Sequence, residues 1–138
     1  TFYVKAVPVE KYMDTLARLD FDLMLAPLAD IDFNTYKSNL KFIESAVMGV
    51  PMIGSDVIAY NSTIIDGHNG WLLPNNPYRW MKHIERIRKD KELLKTVAAN
   101  AYKTVEDGFD LDKTYKLWAN LYNKAVSEKG GKNLIELE

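Results

Sequence analysis

Apolar residues fall along this chain in two kinds of pattern, which together predict an α/β fold. Short runs with little polar interruption are typical of strands that are covered on both faces in a parallel sheet. Apolar residues spaced three or four apart are typical of amphipathic helices. The predicted strands are residues 2–7, 21–26, 52–55 and 71–73, and the predicted helices are residues 9–19, 38–48, 78–88, 91–105 and a last helix that Asp110 or Asp112 caps and that ends near Val126.

The sequence also predicts the loops between these elements and the residues of each helix that face the core. Residues 28–37 are predicted to be a loop at the carboxyl end of a strand, where open α/β sheets bind ligands. Residues 59–65 are predicted to be a short helix or an irregular segment, and Gly49 is expected to end the central helix in the left-handed conformation. The expected core stripes are Tyr12, Leu16 and Leu19; Leu40, Ile43 and Val47; Trp80, Ile84 and Ile87; and Leu94, Val97, Ala101 and Val105.

The last helix carries a fifth stripe, which is strongly aromatic: Leu111, Tyr115, Trp118 and Tyr122. Two interpretations remain open from the sequence. The stripe is either internal, as aromatic stripes often are, or partly exposed. An exposed aromatic patch would favour self-association of the chain.

The central helix has a polar face that forms the candidate site. Lys37 and Lys41 lie around its first turn, where the positive end of the helix dipole disfavours cations. Free backbone N–H groups point out of the same end. Together with Ser38, the expected N-cap, and Asn39, this arrangement suits an anion such as a phosphate or diphosphate.

Glu44 lies further along the same face and suggests the rest of the ligand. A carboxylate cannot help to hold a phosphate, but it can accept hydrogen bonds from ribose hydroxyls. A phosphate at the helix tip with hydroxyls beside it describes a nucleotide sugar. The alternative is a solvated face in which a Lys41–Glu44 pair contributes little to stability.

Composition and charge exclude several other classes of protein. The 138 residues carry a net charge of −1 at pH 7, which argues against a nucleic-acid binder. The chain has no cysteine, and therefore neither a disulfide framework nor a thiolate metal site. His68 and His83 lack a second ligand at metal spacing, so we expect both to be surface residues and predict no metal site. No signal peptide or run of transmembrane length is visible.

Three segments resemble motifs of one enzyme family. Residues 43–55 resemble the "lE-x-x-x-x-G-x-P-v-i-x-S" segment of the GT-B glycosyltransferases of group 1, which are retaining and depend on nucleotide sugars. Residues 21–27 resemble the family's "aD-v-x-l-x-P", and residues 66–73 its "dg-x-x-G-x-l". The motifs occur in the family's order and spacing, and the resemblance continues to about residue 126. The family usually has another glutamate eight positions before Glu44, where this chain has Tyr36.

The resemblance implies a fold and a function. Residues 1–128 would be the later part of a C-terminal Rossmann-like domain that binds a nucleotide sugar, and residues 129–138 a linker or tail. The chain starts at Thr1 without methionine, so we expect a piece of a larger cytoplasmic enzyme, with membrane association through the parent protein or its acceptor as an alternative. The missing N-terminal domain would bind the acceptor.

The resemblance also implies roles for the site residues. Glu44 would bind the ribose, and backbone amides near Lys37–Leu40 would bind the diphosphate. The donor would be a nucleotide diphosphate sugar, with no metal or other cofactor, and polysaccharide biosynthesis is the expected setting. The isolated chain is expected to be inactive. The competing interpretation, favoured by Tyr36, is a degenerate non-catalytic module that kept the fold for binding or assembly.

Overall fold

The three central apolar runs form one parallel sheet. A computed structural model describes residues 3–130, and its strands are β1 (Met24–Ala26), β2 (Met52–Ser55) and β3 (Trp71–Leu73). They lie in the order β1-β2-β3, and both pairings are parallel. Helices connect them, as parallel strands require. The fold is therefore the predicted α/β architecture of a parallel sheet flanked by helices.

The helices of the described residues follow the predicted order. A 3-10 turn at Val9–Lys11 leads into the first of them. They are α1 (Tyr12–Ala17), α2 (Asp32–Thr35), α3 (Leu40–Val47), α4 (Ile58–Asn61), α5 (Pro77–Ile87), α6 (Lys91–Gly108) and α7 (Leu111–Ser127). By its internal contacts the chain divides into two compact units, Thr1–Tyr102 with the whole sheet and Lys103–Glu138 with the end of α6 and α7. Most of the predicted tail lies outside the described residues.

The core of the first unit is built on β2, the middle strand. Ile53 is fully buried and packs in a cluster with Trp71 of β3, Ile87 of α5, and Leu94 and Val97 of α6. The predicted stripes of α5 and α6 are thus confirmed as core-facing. Local periodicity sufficed here because each helix lays a single apolar stripe on the sheet.

The predicted core face of α3 is wrong. Leu40 and Val47 are each 52% exposed, whereas Phe42 and Ala46 are fully buried. Apolar residues occur on two sides of this helix, so hydrophobicity alone did not fix its rotation. The large Phe42 ring and the small Ala46 side chain face the protein interior. Gly49 follows the helix at φ +68°, the left-handed conformation that was predicted.

Two other predictions at the start of the chain are also corrected. The described part of the predicted first strand, residues 3–7, is not a strand, and no strand of the described residues pairs with it. Strand β1 begins at Met24 and lies at an edge of the sheet. Leu25 is consequently 48% exposed rather than covered on both faces. The predicted loop 28–37 contains the short helix α2.

Candidate functional site

A cleft lies where the strands β1 and β2 end and α3 begins. Its volume is about 460 Å³. Residues 25–28 form one wall, and Lys37, Ser38, Leu40 and Lys41 form another. Tyr60 of α4 also contributes to the lining. We call this space the α3 cleft. Its position at the carboxyl ends of parallel strands is the usual ligand position of open α/β sheets.

A hydrogen-bond network fixes the strand ends beside the cleft. The buried Ser55 hydroxyl, at the end of β2, accepts a hydrogen bond from the backbone N–H of Leu28 at 2.8 Å and donates one to Oδ1 of Asn75 at 2.6 Å. Nδ2 of Asn75 in turn donates to the carbonyl oxygen of Leu28 at 2.9 Å. Both backbone polar groups of Leu28 are therefore held. The sequence analysis assigned no role to Asn75.

The first turn of α3 has no side-chain cap. The N-cap residue is Asn39, not the predicted Ser38, and no side chain accepts from the first N–H groups of the helix. The Asn39 side chain does not cap the helix; its Nδ2 instead donates to Oγ1 of Thr63 at 2.8 Å. The helix terminus thus keeps unsatisfied N–H donors, which is the arrangement that favours an anion.

Lys41 is held by Glu44 and Tyr12, for which the sequence predicted other roles. Its Nζ donates to Oε2 of Glu44 at 2.7 Å and to the hydroxyl of Tyr12 at 2.7 Å, and this hydroxyl donates to the same carboxylate oxygen at 3.1 Å. Burial lowers the pKa of Lys41, but the hydrogen bonds to Glu44 and Tyr12 outweigh it and leave the pKa above its ordinary value. Lys41 is therefore a cation at neutral pH. Tyr12 had been predicted only as a core residue.

The predicted site residues are brought together in part. Lys37, Ser38, Leu40 and Lys41 all line the α3 cleft. Glu44 does not: only 8% of it is exposed, and its carboxylate lies against Lys41 and Tyr12. The expectation that Lys37 and Glu44 open into one cleft is thus not met. The Lys41–Glu44 pair of the alternative interpretation is present, although Glu44 is buried rather than solvated.

Tyr60 is a cleft residue that sequence reasoning missed. It is only 5% exposed, and its ring packs so closely on β2 that a Cβ at Gly54 would lie 3.0 Å from Cδ2 of the ring. Burial raises the pKa of the Tyr60 phenol; Lys41 lowers it and Glu44 raises it further. The phenol therefore lies within the electrostatic reach of both charged groups. The segment 59–65 gave no sequence signal because its contacts to α3 and β2 are not local.

The histidines do not form a metal site. Within residues 3–130 no group of three or more metal-binding side chains of the His, Cys, Asp and Glu types occurs. His68 is exposed as predicted, but His83 is half-buried, with its ring 5.5 Å from that of Trp71. The prediction of a surface position for His83 is wrong because α5 turns it towards β3. None of the described helices is both long and apolar enough to cross a membrane.

Comparison with curated proteins finds two glycosyltransferases, although no protein-family profile matches the chain. The capsular polysaccharide biosynthesis glycosyltransferase CapM of Staphylococcus aureus is 26% identical over 91 residues, which are 65% of this chain and 24% of that protein. D-inositol 3-phosphate glycosyltransferase of Streptomyces bingchenggensis is 32% identical over 85 residues, which are 61% of this chain and 18% of that protein. The chain thus spans a quarter or less of these relatives.

Solved structures share the fold. The C-terminal domain of LpcC, a glycosyl transferase group 1 family protein from Francisella tularensis, superposes with a TM-score of 0.63 at 18% identity, covering 77% of this chain and 52% of that one. HepE from Anabaena, in complex with UDP and glucose, superposes with a TM-score of 0.66 at 19% identity, covering 79% of this chain and 29% of that one.

Proposed function

We propose that this chain is part of a group 1 GT-B glycosyltransferase, since its relatives are glycosyltransferases and it has the fold of a group 1 C-terminal domain, and that its α3 cleft binds the diphosphate of a nucleotide sugar. The observation that carries the proposal is the pair Lys37 and Lys41, which line one cleft at the uncapped end of α3. HepE, which shares the fold, was solved with UDP and glucose. The parent enzyme would transfer the sugar to an acceptor with retention at the anomeric carbon.

The chemistry of the cleft suits a departing diphosphate. As the bond to the sugar breaks, negative charge grows on the diphosphate oxygens. Preorganised cations and N–H groups stabilise such charge best because they need no rearrangement during the reaction. Lys41 is preorganised in this sense, since Glu44 and Tyr12 fix its ammonium group. The N–H groups at Ser38, Asn39 and Leu40 would supply the remaining donors, so the proposal assigns neither a metal nor a separate cofactor.

Binding of UDP and of inorganic pyrophosphate to the 138-residue chain tests the proposal by titration calorimetry. Lys37→Ala and Lys41→Ala should each weaken the binding of both probes by on the order of 1–3 kcal/mol, the range for hydrogen bonds to charged groups. Lys95→Ala is the matched control, because Lys95 also pairs with a glutamate three positions away, at 3.0 Å, but on α6. Unchanged binding in both cleft variants would rule the proposed site out.

Glu44 has two possible tasks in this site, and the same probes separate them. If it contacts the ribose, as the family resemblance implies, Glu44→Gln should weaken UDP and hardly affect pyrophosphate. If it acts by holding Lys41, the variant should weaken both probes by a similar factor. The carboxylate is already bound to Lys41 and Tyr12, so a ribose hydroxyl would have to share it.

A non-catalytic binding or assembly module is the second candidate. It is favoured by Tyr36, which stands in place of the family's other glutamate and is almost fully exposed. A scaffold of this kind would ignore nucleotides. If the wild-type chain binds neither UDP nor pyrophosphate, this second candidate replaces the first.

A further inference from the structure

Tyr60 combines a buried ring with an unpaired hydroxyl. Only 5% of the residue is exposed, and its ring packs on β2 so closely that a Cβ at Gly54 would lie 3.0 Å from Cδ2, which fixes the ring in place. Among the described residues the hydroxyl forms no hydrogen bond, and yet Tyr60 lines the α3 cleft. The hydroxyl is not among the buried unpaired atoms of the described residues, so it is accessible from the cleft that Tyr60 lines and can bind a ligand there.

The surroundings of this hydroxyl indicate what kind of partner it lacks. Burial raises the pKa of the phenol, so that at neutral pH the group is an O–H donor. The charged side chains that line the cleft are those of Lys37 and Lys41, both cations. Neither can accept a hydrogen bond. An anionic oxygen of a bound ligand could accept the hydrogen bond from the Tyr60 O–H and would also be attracted by the two lysines.

We propose that Tyr60 is a ligand-binding residue whose O–H donates a hydrogen bond to a phosphate oxygen of the diphosphate held by Lys37 and Lys41. This inference rests on the function proposed above and adds a specific residue to it. The phosphate oxygens then meet donors from two sides, α3 on one and α4 on the other. The rigid packing of the ring makes the contact selective, because the hydroxyl cannot follow a ligand that sits elsewhere.

Tyr60→Phe in the 138-residue chain tests the inference, because it removes one oxygen and keeps the packed ring. We expect the affinity for UDP and for inorganic pyrophosphate to fall by the same factor, on the order of tenfold, as for one hydrogen bond to a charged group. The unfolding midpoint without ligand should stay the same, since the substitution keeps the packed ring and removes no hydrogen bond within the described residues. Tyr78→Phe is the control, because Tyr78 is an exposed tyrosine of α5 outside the cleft.

The possible outcomes are distinct. Wild-type affinity in Tyr60→Phe, together with weakened binding in the lysine variants, overturns the role of Tyr60 and leaves the proposed function standing. Weaker binding of UDP but not of pyrophosphate overturns the phosphate contact and assigns the hydroxyl to the nucleoside. If the wild-type chain binds neither probe, the proposed function and this inference fail together.

Discussion

His83 of α5 illustrates how a single side chain sets a response to pH. Nδ1 of its ring lies 3.1 Å from Nη2 of Arg86, and Nε2 is buried without a hydrogen-bond partner. Burial lowers the pKa of His83, the nearby Arg86 lowers it further, and Asp66 raises it by less. The folded chain therefore holds this imidazole in its neutral form, with Nδ1 free to accept from Arg86.

This lowered pKa gives a stability prediction with a definite sign. The unfolded chain binds the proton of His83 more tightly than the folded chain does. Folding stability therefore rises with pH between the lowered pKa of the folded chain and the ordinary pKa of 6.5. The contribution of His83 should be complete above pH 6.5, the ordinary pKa, and be lost as the pH falls through the lower folded value. Urea unfolding between pH 5 and pH 8, at intervals of about half a unit, would measure this slope.

His83→Gln should flatten the slope, whereas His68→Gln, which removes the other histidine from an exposed turn, should retain it. A wild-type slope in His83→Gln would show that another group causes the acid sensitivity.

At the scale of elements, the sequence predicted what depends on neighbours along the chain. Strands β2 and β3 and the stripes of α5 and α6 follow from local periodicity, and all are confirmed. The predicted strand at residues 2–7 failed because a strand also needs a pairing partner, which no local pattern supplies. The same limit explains why Lys37 and Lys41 were predicted as site residues while Tyr60, Tyr12 and Asn75 were not. Helix α3 and its lysines lie together in sequence; the other three residues arrive from distant segments.

Helix α7 leads to a prediction about association. Tyr115, Trp118 and Tyr122 are 42%, 61% and 56% exposed, so this aromatic stripe presents apolar surface. Exposed aromatic patches favour association because covering them removes apolar surface from water. We expect the 138-residue chain to self-associate as its concentration rises, as measured by sedimentation velocity.

The double variant Trp118→Gln, Tyr122→Gln should shift this equilibrium to the monomer. Tyr102→Gln, which removes a ring of α6 that is 49% exposed, should leave the equilibrium unchanged. A wild-type chain that stays monomeric at all concentrations would show that the stripe is not an association surface.

At the scale of the whole molecule, the chain covers only part of what glycosyl transfer requires. It matches 24% and 18% of the lengths of its two curated relatives. The α3 cleft is open along one side, with Lys37, Ser38 and Leu40 exposed at its rim. A large part of the rate enhancement in a transfer between two substrates can come from holding both in the reactive geometry. If the α3 cleft binds the donor as proposed, it positions only one of the two substrates.

We therefore predict that the isolated 138-residue chain binds a nucleotide diphosphate but transfers no sugar. Release of UDP from UDP-glucose in the presence of candidate acceptors measures this directly, with the Lys41→Ala chain as the blank. Turnover above that blank would refute the prediction and show that the chain alone positions both substrates.

The Ser55–Asn75–Leu28 network has a consequence for the order of folding. Its three hydrogen bonds join residues that are 20, 27 and 47 positions apart in sequence. Contacts of such long range require the loops between them to be closed. The wall of the α3 cleft that carries Leu28 is thus completed only when β1, β2 and β3 are all in place. A ligand bound there stabilises the finished sheet rather than any single segment of it, so its binding energy adds to the global free energy of unfolding.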